Sequence, residues 1–292
     1  MFKTMIPLVA MASLSLSAGA DADDRTVLVF DAEGRPSARV TINEQAEFLF
    51  AVDTAAQRTG LGAPIIEQLA LEPDPEMVAR MHGVSGVVTV PMYQLASIEM
   101  GARRLEGEHV LSLTGGHDQG AHAHAGILGQ DVFADSQLVM DFEAMELGFD
   151  ISAEVLATSL DAELMLGSFV VVDIEVGGVA TRALIDTGAA RSFANSRLLH
   201  ELAMPGAELT QTTERRGVSQ QEIAVIQGLM PAYRIGDVAV PATSLDSINS
   251  PVFATFGLSD QPAIVLGMDV LGQLPGFAID YQSARFHITS NG

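Results

Sequence analysis

An apolar strand that ends on a lone aspartate, built twice in one chain, restricts the possible folds more than any other feature of this sequence. Val170, Val172, Ile174 and Val176 alternate with other residues, Gly177-Gly178 turns the chain, and the return run 180–185 delivers Asp186-Thr187-Gly188. Alternation at period two reads as a half-buried strand, and Gly-Gly between two such runs reads as a hairpin. The same construction comes earlier: run 38–42, a polar turn at Asn43-Glu44-Gln45, then run 47–52 leading to Asp53-Thr54-Ala55. A carboxylate at the end of a buried strand lies where desolvation and neighbours can move its pKa.

The two aspartates are 133 positions apart (186 − 53), and later landmarks recur at slowly growing offsets. Gly83-Val84-Ser85 answers to Gly217-Val218-Ser219, and Ile127-Leu128-Gly129-Gln130-Asp131-Val132 to Val265-Leu266-Gly267-Met268-Asp269-Val270. Asp141-Phe142 answers to Asp280-Tyr281. Landmarks that keep their order indicate duplication with small loop insertions. The expected organisation is an export signal over 1–20, a first half over 21–150, a linker over 151–162 and a second half over 163–292.

These motifs resemble the retropepsin-like aspartic proteases, in particular bacterial exported members. The second half carries the resemblance best, through Ala-Leu-Ile-Asp-Thr-Gly-Ala (183–189), Ile-Val-Leu-Gly-Met-Asp-Val-Leu (264–271) and Ala-Ile-Asp-Tyr (278–281). The first half is looser. The resemblance implies a mainly β fold with a few short helices, in two lobes related by pseudo-twofold symmetry. It implies an aspartic-type endopeptidase in which Asp53 and Asp186 share a proton and activate a water, with no cofactor and no metal. Thr54 and Thr187 would tie the two loops together, with Ala55 and Gly188 completing them. Gly83, Val84, Ser85 and Gly86, and in the second half Gly217, Val218 and Ser219, would be flap tips closing over a peptide or protein substrate. Both halves lie in one chain, so a monomer suffices.

Several positions depart from the family pattern. Ala55 stands where glycine is usual, and Ala190 where many members carry a small polar residue. Gln130 and Met268 stand where viral members carry arginine. Ala55 and the looser first half leave a second reading open: a catalytically degenerate retropepsin-like protein that binds a peptide or partner.

Composition narrows the rest. A net charge of −22 repels nucleic acid and anionic lipid, and the absence of cysteine excludes disulfides, thiolate metal sites and a cysteine nucleophile. Lys3, the apolar run 5–16 and Ala18-Gly19-Ala20 read as a cleavable export signal, placing the mature chain in the periplasm or outside the cell without a membrane anchor. His117, His122 and His124 are spaced so that they could bind zinc or copper. Their flanking glycines read more simply as a solvated loop. Asp131 and Asp269 follow a glycine at an expected helix start and read as N-terminal caps. Asp141 and Asp280 read as structural, and Ser192 has no recognisable triad partner. Short helices are expected over 64–71, over 196–202 and from Met268, with a hairpin over 81–92.

Overall fold

Both aspartate hairpins form where the alternation places them. The computed structural model describes residues 25–83, 86–113, 124–149, 156–202, 208–210, 225–248 and 250–289. Pro36–Ile42 pairs antiparallel with Ala46–Val52, from Ser37 opposite Ala51 to Ile42 opposite Ala46. Phe169–Val176 pairs likewise with Val179–Ile185, from Val171 opposite Leu184 to Val176 opposite Val179. Gly177 and Gly178 have φ of 57° and 84°, the left-handed backbone that a two-residue hairpin turn needs at both central positions.

A parallel strand then slots beside each aspartate strand. Gly126–Leu128 lies parallel to residues 50–52, and Ala263–Leu266 parallel to residues 182–185. The short strand after each aspartate, Gly60–Gly62 or Phe193–Ala194, pairs antiparallel with that inserted strand. Its other edge pairs in parallel with His109–Leu113 or Thr243–Ile248. Each of these in turn meets a hairpin, Pro73–Gly83 with Gly86–Gln94 in the first half and Glu208–Thr210 with Val225–Met230 in the second. The two halves therefore agree strand for strand, the structural counterpart of the repeated motifs.

The halves share a sheet and a core. Gln137–Asp141 pairs antiparallel with Gly276–Asp280, with Val139 opposite Ala278 at the centre. Glu146–Phe149 and Arg25–Val27 extend one side, and Arg285–Thr289 and Leu156–Met165 extend the other. Phe50 and Phe133 from the first half join Phe277 and Phe286 from the second in one apolar cluster, all fully buried. Burying each such side chain contributes roughly 1.5–3 kcal/mol relative to exposure, so separating the halves would uncover the middle of the core.

Two local expectations are corrected, and one helix was not expected. Residues 156–162, assigned to a linker, are part of strand Leu156–Met165, which pairs with Phe169–Val176 on one side and Arg285–Thr289 on the other. The first hairpin runs over Pro73–Gly83 and Gly86–Gln94, well beyond 81–92. A helix at Pro251–Thr255, capped by Ser250, was not anticipated, and it lies against strand Pro73–Gly83 of the other half. The other helices fall near their expected positions, at Ala63–Gln68, Ser196–Glu201 and Met268–Leu271.

Gly129 and Gly267 end the inserted strands with ordinary φ of −94° and −93°, so only space demands glycine there. A Cβ on Gly129 would fall 2.4 Å from the Arg58 carbonyl carbon, and one on Gly267 2.6 Å from the Ala189 carbonyl oxygen. Gly129→Ala and Gly267→Ala should each cost about 1–3 kcal/mol, the usual penalty for overpacking. Urea unfolding measures this, and an unchanged midpoint would show that the neighbouring backbone can yield.

Candidate active site

Each aspartate leaves its strand with its amide still bonded to the inserted strand. The Asp53 N–H donates to the Leu128 carbonyl at 3.0 Å, and the Asp186 N–H to the Leu266 carbonyl at 3.0 Å. The next residue crosses to the other half. The Thr54 N–H donates to Thr187 Oγ1 at 3.0 Å and the Thr187 N–H to Thr54 Oγ1 at 3.1 Å. The Thr54 hydroxyl donates to the Ile185 carbonyl at 2.9 Å and the Thr187 hydroxyl to the Val52 carbonyl at 2.5 Å. Both threonines are wholly buried.

This reciprocal bonding brings the carboxyl groups together. A Cβ on Gly188 would lie 2.3 Å from Asp53 Cγ, so the second loop passes directly against the first carboxylate. Neither Gly188 nor Ala55 adopts positive φ; what Gly188 supplies is room. The Ala55 N–H donates to Asp53 Oδ1 at 2.9 Å, and the Ala189 N–H to Asp186 Oδ1 at 3.0 Å. Ala55 therefore keeps the turn that holds its carboxylate, despite the added methyl.

Electrostatics separates the two groups. Burial pushes Asp53 up from the ordinary 3.8 to about 6, against the Ala55 amide, the Arg35 charge and the Ala56 amide, which favour the anion. Burial pushes Asp186 up to about 8, and the neighbouring Asp53 charge adds to it. Both residues stay half-buried, with part of their surface open to solvent. Such a pair holds one proton through the neutral range.

A second layer of bonds, absent from the sequence reading, fixes the loops from behind. Thr59 and Ser192 each stand six residues after an aspartate. Thr59 donates from its N–H and hydroxyl to Asp131 Oδ1 at 2.9 and 2.8 Å, and Ser192 to Asp269 Oδ1 at 2.8 and 2.6 Å. The two hydroxyl oxygens in turn accept from Gly129 N–H at 3.1 Å and Gly267 N–H at 2.9 Å. Asp131 and Asp269 thus serve the aspartate loops; the N-caps of their own helical turns are Gly129 and Gly267, which make no side-chain cap bond. The shared six-residue offset was the signal that could have found them. Gln130 also crosses halves, donating from Nε2 to the Thr54 carbonyl at 2.6 Å and to the Ser168 carbonyl at 3.1 Å.

The remaining candidates divide. Asp141 and Asp280 accept backbone N–H bonds from the turns that follow them, as expected of structural residues. Gly83 and Gly86 are the last described pair of the first hairpin, opposite one another. Val84 and Ser85 lie outside the described residues, as do Gly217, Val218 and Ser219, His117 and His122. His124 is described and, against the solvated-loop reading, turns inward. Its Nε2 lies 2.6 Å from Ser37 Oγ and 3.7 Å from Asp31 Oδ2.

Two outcomes test this geometry. Thr187→Ala leaves the Thr54 N–H and the Val52 carbonyl buried without their partner, and should cost about 2–4 kcal/mol. Thr187→Ser keeps both bonds and should cost only about 1 kcal/mol, the burial of one methyl; equal losses in urea unfolding would rule out the hydroxyl as the important group. The second outcome concerns pH. Both carboxyls hold protons more tightly folded than unfolded, so their favourable contribution is complete below pH 3.8 and is lost as pH rises through about 6 and about 8. Asp186→Asn should therefore match the wild type in stability near pH 3.8. It should gain on the order of a few kcal/mol by pH 8, and a difference independent of pH would refute the buried pair.

No curated protein matches the chain. The aspartyl protease family model matches it twice, over residues 38–132 and 172–270. Each match contains one aspartate loop, its inserted strand and the glycine that ends it. With both matches together covering most of the chain, and the two halves agreeing strand for strand, this protein belongs to the retropepsin-like aspartyl protease family.

Proposed function

We propose that the chain is an exported endopeptidase that hydrolyses peptide bonds with water activated by Asp53 and Asp186. The observation that carries this reading is a pair of juxtaposed carboxyls whose surroundings push their proton affinities apart, the pattern that marks acid and base partners. The dyad of aspartic proteases is itself a standard example of that rule. Asp53, ionised, takes a proton from the water as its oxygen attacks the carbonyl carbon. Asp186, protonated, donates a hydrogen bond to the carbonyl oxygen, where negative charge develops. Collapse of the tetrahedral intermediate breaks the C–N bond, and the departing nitrogen takes up the proton.

The substrate is a peptide or unfolded protein lying beneath the hairpin Pro73–Gly83/Gly86–Gln94, with Gly83 and Gly86 near its tip. The enzyme acts as a monomer, because each half already brings one aspartate. Residues 1–20 direct it to the periplasm or the medium. The second reading, a degenerate binding protein, draws on Ala55, whose repeat counterpart Gly188 has no room for a methyl. Against it, the Ala55 amide still supports Asp53.

Cleavage of an unstructured protein decides between them. Asp53 must be ionised and Asp186 protonated, so kcat/KM should follow a bell with limbs near the two values, about 6 and about 8. Asp53→Asn and Asp186→Asn should each lower kcat/KM by at least ~10³-fold while remaining folded. Undiminished cleavage by either variant removes the dyad from the chemistry. A wild type that binds the protein and leaves it whole favours the degenerate reading.

A further inference from the structure

The twofold relation between the halves fails at one place that matters. In the first hairpin Ser37 faces Ala51 and Ala38 faces Phe50; carrying that register two steps further sets Arg35 opposite Asp53. In the second hairpin Val171 faces Leu184 and Val172 faces Ala183; the same two steps set Phe169 opposite Asp186. Equivalent positions in the two hairpins thus hold an arginine and a phenylalanine.

We infer that Arg35 is a positioning residue that breaks the symmetry of the pair, holding Asp53 as the ionised member and leaving the proton on Asp186. This rests on the protease reading for its consequence but not for its physics. Arg35 is fixed in place: its Nε donates to Asp31 Oδ2 at 2.6 Å, while the Arg35 and Glu33 amides donate to Asp31 Oδ1 at 2.7 and 2.9 Å. Asp31 is almost fully buried, yet the Arg35 amide, guanidinium and charge, with a smaller contribution from His124, outweigh burial and keep it ionised. An arginine anchored this way cannot swing out into solvent, and its charge acts on Asp53.

Among the described residues the charged and titratable groups around this point are few. Arg35 is faced by Asp31 and Glu33 on its own turn and acts on Asp53, while His124, ahead of strand Gly126–Leu128, faces Asp31. Asp53 is faced by Arg35 and by Asp186, and its charge reaches the buried phenol of Tyr281, which burial and that charge keep neutral. On the other side Phe169 is buried edge-on to Phe256, at 4.8 Å between ring centroids, in an apolar cluster with Phe193, Phe253 and Leu258. Asp186, for its part, is moved by burial and the Asp53 charge and by no cation among the described residues, and burial favours the neutral acid. The pair is therefore polarised before substrate arrives, with the hydrogen-bond donor to the carbonyl oxygen always on the second half.

The test titrates the aspartate carboxyl carbons by NMR in the full-length mature protein and, in parallel, records the pH profile of kcat/KM. Arg35→Gln removes the charge and should raise the lower step, and the acid limb, by roughly half to one pH unit, leaving the upper step nearly in place. Asp31→Asn keeps both backbone bonds to Oδ1 but frees the arginine's charge from its counter-ion, and should move the lower step down. Opposite signs are the signature of an electrostatic role, since a merely structural disturbance would displace both variants alike. An unmoved lower step in Arg35→Gln, or an upward shift in Asp31→Asn, overturns the inference. Should Arg35→Gln not fold, the direction in Asp31→Asn decides alone. A wild type without proteolysis refutes the enzyme reading instead, and the NMR titration still judges Arg35.

Discussion

Confining two carboxyl groups against each other, each at the end of a buried strand, is the demand that the rest of this structure answers. Two such groups repel when both are charged, and each loses hydration that the protein only partly replaces. The repulsion acts along the line that separates the halves. Opposing it directly are Thr54 and Thr187, each of which gives its amide and its hydroxyl to the other half. Only a hydroxyl can accept from an amide while donating to a carbonyl at the same point. Threonine adds a branched Cβ that restricts the rotamer, so both positions demand the same residue.

Behind the threonines the load spreads. Thr59 with Asp131 and Ser192 with Asp269 fasten each aspartate loop to the glycine that ends its inserted strand. Below them the sheet centred on Val139 and Ala278, and a core running through both halves, make the two lobes one cooperative body. The free energy that holds the carboxyls at close range therefore comes from the whole fold, while the site itself is under electrostatic tension.

Period-two alternation, turn glycines and the repeat made the strands, both aspartates and both threonines legible, because each is a local pattern or a copy of one. What escaped depended on long-range context. An aspartate after a glycine before a helical turn looks like a cap, and only the fold reveals that Thr59 and Ser192 come within reach of Asp131 and Asp269. Residues 156–162 mix polar and apolar residues and read as a connector, yet they open a strand, Leu156–Met165, that pairs on both sides. Pro73 and Pro75 follow the helix Ala63–Gln68 and open a hairpin strand whose register is irregular between Pro73 and Val78, where missing N–H groups cost little. His124 seemed solvated because the glycines before it dominate the local pattern; its partners, Ser37 and Asp31, lie some ninety residues earlier.

Arg35 escaped for a different reason, since no motif marks it and its meaning exists only in comparison with Phe169. That comparison also bears on why a chain with both halves covalently joined differs from one that assembles from two copies. In a symmetric pair of identical chains, an arginine beside one carboxylate would stand beside the other too. A second such cation would act on the other carboxyl as well and would leave the two proton affinities closer together. Here the halves are encoded separately, and Arg35 against Phe169 and Ala55 against Gly188 are among the positions where they differ, while Thr54 and Thr187 have not changed. The two threonines that bond across the halves are identical, whereas the two carboxyls lie in unlike surroundings, a difference that separately encoded halves allow.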